Sequence, residues 1–246
     1  MDTIPFDLPP STLKEDKLER GDFVQQISRI LLLKEGAPSL VVGIEGYWGS
    51  GKTAILNFVK EVLKKSEQKP IIIDFNPWLI STLDSLIEGF FVQLAAGIGK
   101  RDRKKETKNA AVSILKFGKL LTPIKLIPGV EPWGTLVENV ISTVCGSAVT
   151  ASEFDDLDIV ERKEDLKKAL QKIEYPIIIV IDDIDRLPPE QVRIMFQMIK
   201  SIADFPRVAY LVAYDPEHVA PTLSYNNEIN GRQYIEKIVQ LTYPVP

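Results

Sequence analysis

The sequence predicts an α/β fold of three layers, a parallel sheet with helices on both of its faces. Short apolar runs alternate with longer segments whose apolar residues recur at helical spacing, which is typical of parallel strands joined by crossover helices. The run Ile177–Ile181 is entirely β-branched, as in a strand that is covered on both faces. A glycine-rich loop also joins the first such run to a helix.

The N-terminal part of the chain is predicted to be an arm and one helix. Residues 1–37 form this unit, and we expect it to pack on a core that comprises residues 38–246. The arm, residues 1–15, contains prolines and is predicted to be extended. The helix is indicated by apolar residues that share one face: Phe23, Ile27, Ile30 and Leu31. The core begins with a strand predicted over Ser39–Ile44.

The stretch 84–174 is predicted to be a mostly helical insertion between the second strand, Ile71–Phe75, and the third. Within it, Leu83–Ile98 is expected to form one helix. Ala110–Thr150 is interrupted by prolines and is predicted to be a pair of short packed helices. A further amphipathic helix is predicted over 158–174, because its apolar residues lie on one face: Ile159, Leu166, Leu170 and Ile173.

The C-terminal third supplies the remaining strands. The third strand is Ile177–Ile181, and a helix is predicted to start at Pro188 and Pro189. A fourth strand is predicted over Val208–Ala213 and a fifth over Ile238–Leu241.

A basic segment, Lys100–Lys108, holds six Lys or Arg residues and two acids. It has two interpretations, a solvated loop or a contact with phosphate or acidic lipid.

Composition excludes several classes of protein. The net charge of the 246 residues is −4, which does not indicate direct binding to nucleic acid. Cys145 is the only cysteine and His218 the only histidine, which excludes an intramolecular disulfide and argues against a histidine-rich metal site. The longest uncharged run, 139–152, is shorter than the roughly 20 residues of a spanning helix. We therefore expect a chain without a membrane span and a cytoplasmic location.

Residues 46–53 match the phosphate-binding P-loop pattern G-x-x-x-x-G-K-[ST]. In this pattern glycines let backbone N–H groups surround a polyphosphate, and the following helix adds its positive N-terminal end. Lys52 is expected to contact the terminal phosphates, and the Thr53 hydroxyl to bind Mg²⁺. The predicted nucleotide-binding residues of the loop and helix start are Gly46, Trp48, Gly49, Ser50, Gly51, Lys52, Thr53 and Ala54.

The third strand ends in two acids, and the carboxyl ends of parallel strands are where open α/β sheets bind ligands. Asp182 is predicted to hold Mg²⁺ opposite the P-loop, as in the Walker B arrangement. Asp183, one residue later, is predicted to orient and deprotonate the attacking water. The alternative for each acid is that it caps the next turn.

Other polar and aromatic residues each have two interpretations. Arg186 either supplies positive charge to a transition state, as an arginine finger does, or pairs with Asp185 or another neighbour to hold the loop. Asp215 either senses the γ-phosphate or caps the following turn. His218 is expected on a helix surface. The two tryptophans near the site are predicted to be packing residues rather than base-stacking ones: Trp48 and Trp78.

These motifs together resemble the KAP family of P-loop NTPases, which is related to the AAA+ and STAND proteins. The resemblance rests on GYWGSGKT at 46–53, FNPW at 75–78, IDDIDRL at 181–187 and LVAYDPEHV at 211–219. The segment 234–240 is also similar. The resemblance implies the strand order 5-1-4-3-2, and it implies ATP rather than GTP.

The same resemblance carries further expectations. It implies that Lys52 and Thr53 bind phosphate and Mg²⁺, with Asp182 at the metal and Asp183 near the water. Many family members carry transmembrane helices between the two motifs, which we do not expect here, and a helical region after the last strand, which we expect this chain to lack. Bacterial members without membrane spans often belong to phage-exclusion or defence systems, so the resemblance implies a similar role.

The leading functional hypothesis is Mg²⁺-dependent ATP hydrolysis, slow in the isolated chain and dependent on self-assembly or a protein partner. The alternative is a nucleotide-gated switch or scaffold with little turnover, which would regulate a partner. Both share the same binding residues. A DNA-acting motor is a weaker hypothesis, because the sequence pI is near 5.3 and the chain has no basic stripe.

Overall fold

The fold is a three-layer α/β sandwich around one five-stranded sheet. It was determined as a computed structural model. The structure describes residues 9–80, 82–101, 104–121, 159–202, 205–224 and 230–246.

The five strands are all parallel. They are β1 (Leu40–Glu45), β2 (Ile71–Phe75), β3 (Ile177–Ile181), β4 (Val208–Tyr214) and β5 (Leu241–Pro244). They lie side by side in the order β2-β3-β4-β1-β5. This order confirms the one that the family resemblance implied, and it places β4 between the P-loop strand and the strand that ends in the two acids.

Helices follow the strands on both sides. Their bounds are α1 (Gly21–Leu31), α2 (Lys52–Lys65), α3 (Leu83–Gly99), α4 (Lys105–Leu121), α5 (Ile159–Gln171), α6 (Pro189–Ile202), α7 (Pro216–Leu223) and α8 (Gly231–Glu236). Short 3₁₀ turns occupy Leu13–Glu15, Pro77–Leu79 and Ile184–Arg186.

The alternation of side chains along the strands divides the core into two layers. In β3, Ile177 and Ile179 face the layer formed by α3 to α8, whereas Ile178 and Val180 face α1 and α2. All five residues of β3 and all seven of β4 are buried. Such strands need cover on both faces, which confirms the three-layer prediction.

A chain of edge-to-face aromatic pairs ties the insertion to the sheet. Phe75 at the end of β2 contacts Phe90 of α3, and the contacts continue through Phe91 and Phe117 to Phe205. Each ring is at most 2% exposed. Edge-to-face geometry is one of the favoured arrangements of aromatic rings. Because the buried residues of α3 and α4 pack in the same cluster as those of the sheet, these helices are part of the core.

The fifth strand lies further along the chain than predicted. It begins at Leu241 rather than Ile238, because Ile238 and Val239 are buried in the core after α8, where Ile238 N donates to Ile235 O. Gln240 N then donates to Val41 O. Periodicity alone cannot distinguish a buried turn from a short buried strand.

Two details of the insertion also differ from prediction. Helix α4 begins at Lys105, inside the basic segment for which a solvated loop was one of two interpretations, and it runs to Leu121 as one helix. Ile159 is 44% exposed, because it is the first residue of α5, whereas Leu166 and Leu170 further along the helix are buried. The remainder of the predicted helix pair, 122–150, lies outside the described residues.

No helix within the described ranges is both long and apolar enough to cross a bilayer.

The aromatic chain yields a stability prediction. Phe91→Ala should lower the free energy of unfolding by about 3–5 kcal/mol, because a fully buried ring that contacts two others is replaced by a cavity. Urea denaturation measures the change. Leu79→Ala is the control, since Leu79 is 80% exposed, and it should change the stability by less than about 0.5 kcal/mol. Equal losses in both variants would contradict the role of the aromatic chain.

Candidate functional site

The predicted site lies at the carboxyl edge of the sheet. Strand β1 ends at Glu45, and α2 begins at Lys52, so the loop between them connects a buried strand to a helix N-terminus. Gly49 and Gly51 have φ of 83° and 94°. These are left-handed values that side chains rarely adopt, which explains both glycines and lets the backbone turn tightly before α2.

Lys52 is buried and makes three contacts. Its Nζ donates to Gly46 O at 2.8 Å and to Tyr47 O at 3.3 Å, and it lies 3.0 Å from Asp185 Oδ2. The side chains of Lys52 and Asp185 are 8% and 10% exposed. The lysine of the P-loop is therefore neutralised by an acid of the same chain.

Thr53 and Asp182 meet as predicted. Thr53 Oγ1 donates to Asp182 Oδ2 at 2.9 Å, and Asp183 N donates to Asp182 Oδ1 at 2.9 Å. Burial raises the pKa of the Asp182 carboxyl above its ordinary value. The hydrogen bond from Thr53 opposes this rise, and the negative charge of Asp183 adds to it. A cation bound here would compensate the cost of burying the carboxylate.

Asp183 is held on both of its oxygens. Asn76 Nδ2 donates to Oδ2 at 2.9 Å, and Arg186 Nε contacts Oδ1 at 2.7 Å. The pairing of Arg186 with Asp185, one of the alternatives from the sequence, is wrong, because Asp185 is occupied by Lys52 and Arg186 turns back to Asp183. The structure favours the structural alternative for Arg186, a pairing with a neighbour that holds the loop.

A cavity of about 390 Å³ joins these groups. It is lined by the P-loop, the start of α2, the acidic run after β3 and the arm: Pro9, Pro10, Trp48, Gly49, Gly51, Lys52, Thr53, Ala54, Asp182, Asp183, Asp185 and Arg186. A larger cavity of about 750 Å³ lies between α4 and α5 and is lined by lysines, including Lys105 from the basic segment. Among the described residues that line it, none belongs to the glycine loop or to the acidic run after β3, so the first cavity is the candidate site.

The residues around this cavity fit a magnesium nucleotide. Within the described part of the chain, no three His, Cys, Asp or Glu side chains are grouped to hold a metal by themselves. Mg²⁺ does not need such a cage, since it is commonly held by one or two protein oxygens together with phosphates and water. Thr53 and Asp182 supply that kind of oxygen pair. Ser50 Oγ in the loop is buried without a hydrogen-bond partner among the described residues, and a phosphate oxygen could serve it.

Asp215 caps a helix. Its Oδ1 accepts from Glu217 N at 2.9 Å, and its Oδ2 lies 3.2 Å from His218 Nδ1, at the start of α7. Asp215 does not line the cavity, so the structure favours the cap over the phosphate sensor. His218 is 69% exposed on the helix surface, which confirms its prediction.

The packing role predicted for Trp48 and Trp78 is wrong. Trp48 is 77% exposed and Trp78 is 51% exposed. Trp48 lies in the P-loop turn after β1 and Trp78 in the 3₁₀ turn Pro77–Leu79 after β2, both at the carboxyl edge of the sheet. Trp48 lines the cavity, which agrees with its inclusion among the predicted nucleotide-binding residues.

Three residues of the site were not assigned from the sequence. Arg20, before α1, donates from Nη2 to Ser50 O at 3.1 Å and to Pro246 O at 2.9 Å, so it ties the N-terminal unit and the C-terminal end to the P-loop. A side chain at Gly51 would meet its guanidinium. Asn76 donates to Asp183, and Asp185 pairs with Lys52. Both residues lie in motifs that carry the family resemblance, FNPW at 75–78 and IDDIDRL at 181–187. Their place in these motifs is the sequence signal that could have identified them as site residues.

This fold and site define a P-loop NTPase domain. A family model described as "KAP family P-loop domain" matches residues 20–246. The chain therefore belongs to the KAP family.

The chain is similar to two curated proteins. It is 27% identical over 260 residues to the phage T7 exclusion protein of Escherichia coli (strain K12), and the match covers 98% of this chain and 34% of that protein. It is 32% identical over 111 residues to an uncharacterized ATP-binding protein of Methanocaldococcus jannaschii, with 44% of this chain and 28% of that protein covered. The chain thus spans about a third of the length of the curated relatives it matches.

Two solved structures with a similar course of the chain are proteins of Aeropyrum pernix. They include the ORC1 protein of Aeropyrum pernix in complex with DNA, at 14% identity and a TM-score of 0.48 over 99% of this chain and 48% of that one. The ORC2 protein of the same organism, in ADPNP and ADP complexes, has a TM-score of 0.45 at 14% identity, over 98% of this chain and 50% of that one.

The buried carboxyl of Asp182 yields a pH prediction. Its pKa is raised in the folded protein, so the protonated form is favoured there, and stability is lost as the pH rises from the ordinary value of about 3.9 through the raised one. Asp182→Asn resembles the protonated form and lacks this loss. In melting curves without nucleotide or Mg²⁺, the variant should gain stability relative to the wild type between pH 4 and pH 7. A constant difference, or one of opposite sign, would contradict the prediction.

Proposed function

We propose that this domain binds ATP with Mg²⁺ and hydrolyses the β–γ phosphate bond. The observation that carries the proposal is the contact of Thr53 with Asp182 at 2.9 Å across the mouth of the P-loop. It joins a hydroxyl at a helix N-terminus and a carboxylate at a neighbouring strand end, both suited to Mg²⁺.

The phosphates would be held by the loop and the start of α2. The start of α2 lines the cavity, and the first backbone N–H groups of a helix have no partner within the helix, so their partial positive charge favours an anion there. Lys52 would exchange its contact with Asp185 for the terminal phosphates. Thr53 and Asp182 would hold Mg²⁺, which neutralises charge that develops on the phosphates.

Catalysis in this proposal consists of positioning and charge neutralisation. Asp183 is the proposed base, because it stands one residue beyond Asp182 and lines the same cavity. In that role it accepts a proton from the attacking water at a carboxylate oxygen. Lys52 stabilises the negative charge at the transferred phosphoryl group. The finger role of Arg186 toward a second subunit stays a prediction.

A second candidate function is a nucleotide-gated switch with little turnover. It is favoured by the engagement of both Asp183 oxygens with Asn76 and Arg186, which leaves the proposed base already occupied. Release of phosphate over several turnovers separates a hydrolase from such a switch.

The biological setting we propose is phage exclusion in a bacterial cell. Its support is the similarity to the phage T7 exclusion protein over 98% of this chain. Because that match covers about a third of the relative, the partner and the output of the whole protein are part of the proposal.

Lys52→Ala should remove most of the affinity for ATP, because the site loses the cation that the phosphates would contact. Thermal-shift titration with Mg²⁺-ATP measures the change, since a ligand of the folded state raises the melting temperature. Lys60→Ala is the matched control on the same helix, where Lys60 pairs with the exposed Asp74. Equal stabilisation of the Lys52→Ala variant and the wild type would reject the P-loop site.

Substitutions of Asp182 and Asp183 should separate ATP binding from ATP hydrolysis. Asp182→Ala should weaken Mg²⁺-dependent binding, since Asp182 supplies a metal ligand. Asp183→Asn should bind ATP normally and slow the steady-state release of phosphate by roughly 100-fold or more, the typical contribution of a general base. Unchanged turnover in Asp183→Asn would mean that the water is held by another group.

A further inference from the structure

A wide cleft, here called the α4–α5 cleft, lies between helices α4 and α5. These helices pack on the face of the sheet opposite α1 and α2. The volume of the cleft is about 750 Å³, which is within the range of cavities that hold small ligands. None of the described residues that line it belongs to the P-loop, so it is separate from the candidate nucleotide site.

The two helices run antiparallel along the cleft. The start of α4 meets the end of α5, where Lys104 Nζ donates to Glu174 Oε2 at 2.5 Å. The stretch of α4 from Lys105 to Lys116, both of which line the cleft, spans about 16 Å at the helical rise of about 1.5 Å per residue. The cleft is therefore long enough for an extended ligand.

The charge of the cleft is opposite in sign to that of the chain. Cations line both of its ends and its middle: Lys105 and Lys172 at one end, Lys116 and Arg162 at the other, and Lys168 between them. Two acids complete the charged lining: Glu106 and Asp165. Five cations and two acids give the described lining a net charge of +3, whereas the net charge of the chain is −4.

This positive charge is poorly neutralised by the protein. Lys105, Arg162 and Lys172 form no ion pair with a side chain that the structure describes. Asp165 lies 3.9 Å from Lys168, which is a long contact between two exposed groups. Lys168 and Lys172 are four residues apart, a spacing at which like charges on a helix repel each other. A surface with this excess of charge attracts anions.

We propose that the α4–α5 cleft binds a linear polyphosphate, an extended chain of phosphate groups. Cations at both ends and in the middle of the cleft suit a ligand whose negative charge is spread along its length, because each forms charge-assisted hydrogen bonds with phosphate oxygens. Asn109 and Ser113 of α4 also line the cleft and add neutral donors for those oxygens. The inference goes beyond the proposed function and does not depend on it.

The lining of the cleft favours this ligand over other anions. Proteins that hold single-stranded nucleic acid commonly stack its bases on aromatic rings, and no described residue of the lining is aromatic. A flat bilayer contacts a protruding surface, whereas these cations line a cleft between two helices. A single phosphate reaches only one end of a cleft of this length.

The test measures the Kd of polyphosphate by isothermal titration, at an ionic strength of about 0.15 M. The double variant Lys105→Glu, Lys172→Glu should bind polyphosphate roughly tenfold more weakly or worse, because two charge-assisted contacts are replaced by repulsion. The matched control is Lys34→Glu, Lys64→Glu, which makes the same change in charge at exposed positions in the layer of α1 and α2. The control should keep the wild-type Kd, and equal weakening in both double variants would overturn the inference.

The P-loop is itself a site for chains of phosphate, so the Lys52→Ala variant provides a second arm. Polyphosphate should still bind to this variant, and the cleft double variant should keep the rise in melting temperature that Mg²⁺-ATP causes in the wild type. Loss of polyphosphate binding in Lys52→Ala, with normal binding in the cleft double variant, would overturn the inference. If Mg²⁺-ATP stabilises no variant, the proposed function fails, and the polyphosphate titrations alone decide this inference.

Comparison of ligands tests the chemistry of the cleft. Tripolyphosphate is too short to reach both ends and should bind at least about tenfold more weakly than a long chain, since it forgoes the contacts at one end. A single-stranded oligonucleotide or acidic lipid vesicles that bind as tightly as polyphosphate, and through the same lysines, would overturn the assignment to polyphosphate.

A stability measurement separates loss of binding from loss of folding. Without ligand, the double variant Lys105→Glu, Lys172→Glu should melt at or above the wild-type temperature, because the reversal relieves repulsion within the cleft. Lys172→Gln removes one charge and adds none, so it should weaken polyphosphate binding in the same direction by a smaller factor. A folded Lys172→Gln variant with the wild-type Kd would overturn the inference.

Discussion

The site depends on one hydrogen bond, from Thr53 Oγ1 to Asp182 Oδ2. It joins the helix after β1 to the end of β3, two strands that are separated by β4 in the sheet. The contact is possible because parallel strands bring their carboxyl ends to one edge. The strands β3 and β4 are fully buried, and the register of β4 with both neighbours sets the distance between the ends of β1 and β3 that the hydrogen bond spans.

The electrostatics of the site follow from this geometry. Three acids of one short run are placed against a single buried lysine. Asp185 neutralises Lys52, Asp182 accepts from Thr53 and from a backbone N–H, and Asp183 is paired with Arg186. Each acid thus has a partner within the chain, although burial and the charge of Asp183 still disfavour the ionised form of Asp182 when no cation is bound. Nucleotide binding in our proposal exchanges these contacts for contacts with phosphate and metal.

The layers around the sheet have different relations to the site. On one face lie α1 and the P-loop helix α2. Arg20, directly before α1, donates to Ser50 O, and this contact ties the N-terminal unit to the phosphate loop. On the other face, the aromatic contacts that start at Phe75 place α3 and α4 behind the turn that carries Asn76. Packing on that face therefore positions the donor that holds Asp183.

The sequence by itself determined the sheet, the P-loop and the acidic strand end, since these depend on local patterns: β-branched runs, glycines at left-handed positions and an acid after an apolar strand. It also predicted that Lys52, Thr53 and Asp182 lie close together, because a P-loop and an acid after an apolar strand both lie at the carboxyl edge of a parallel sheet.

Only the tertiary structure decided which partner each charged group takes. Asn76 reaches Asp183 because β2 and β3 are adjacent. Asp185 pairs with Lys52, and Arg186 therefore turns to Asp183. The start of β5 was also decided by packing, since Ile238 and Val239 are apolar enough for a strand but fill the core beside α8. Local patterns encode propensity and burial, whereas pairing between side chains depends on distances that arise only when distant segments pack.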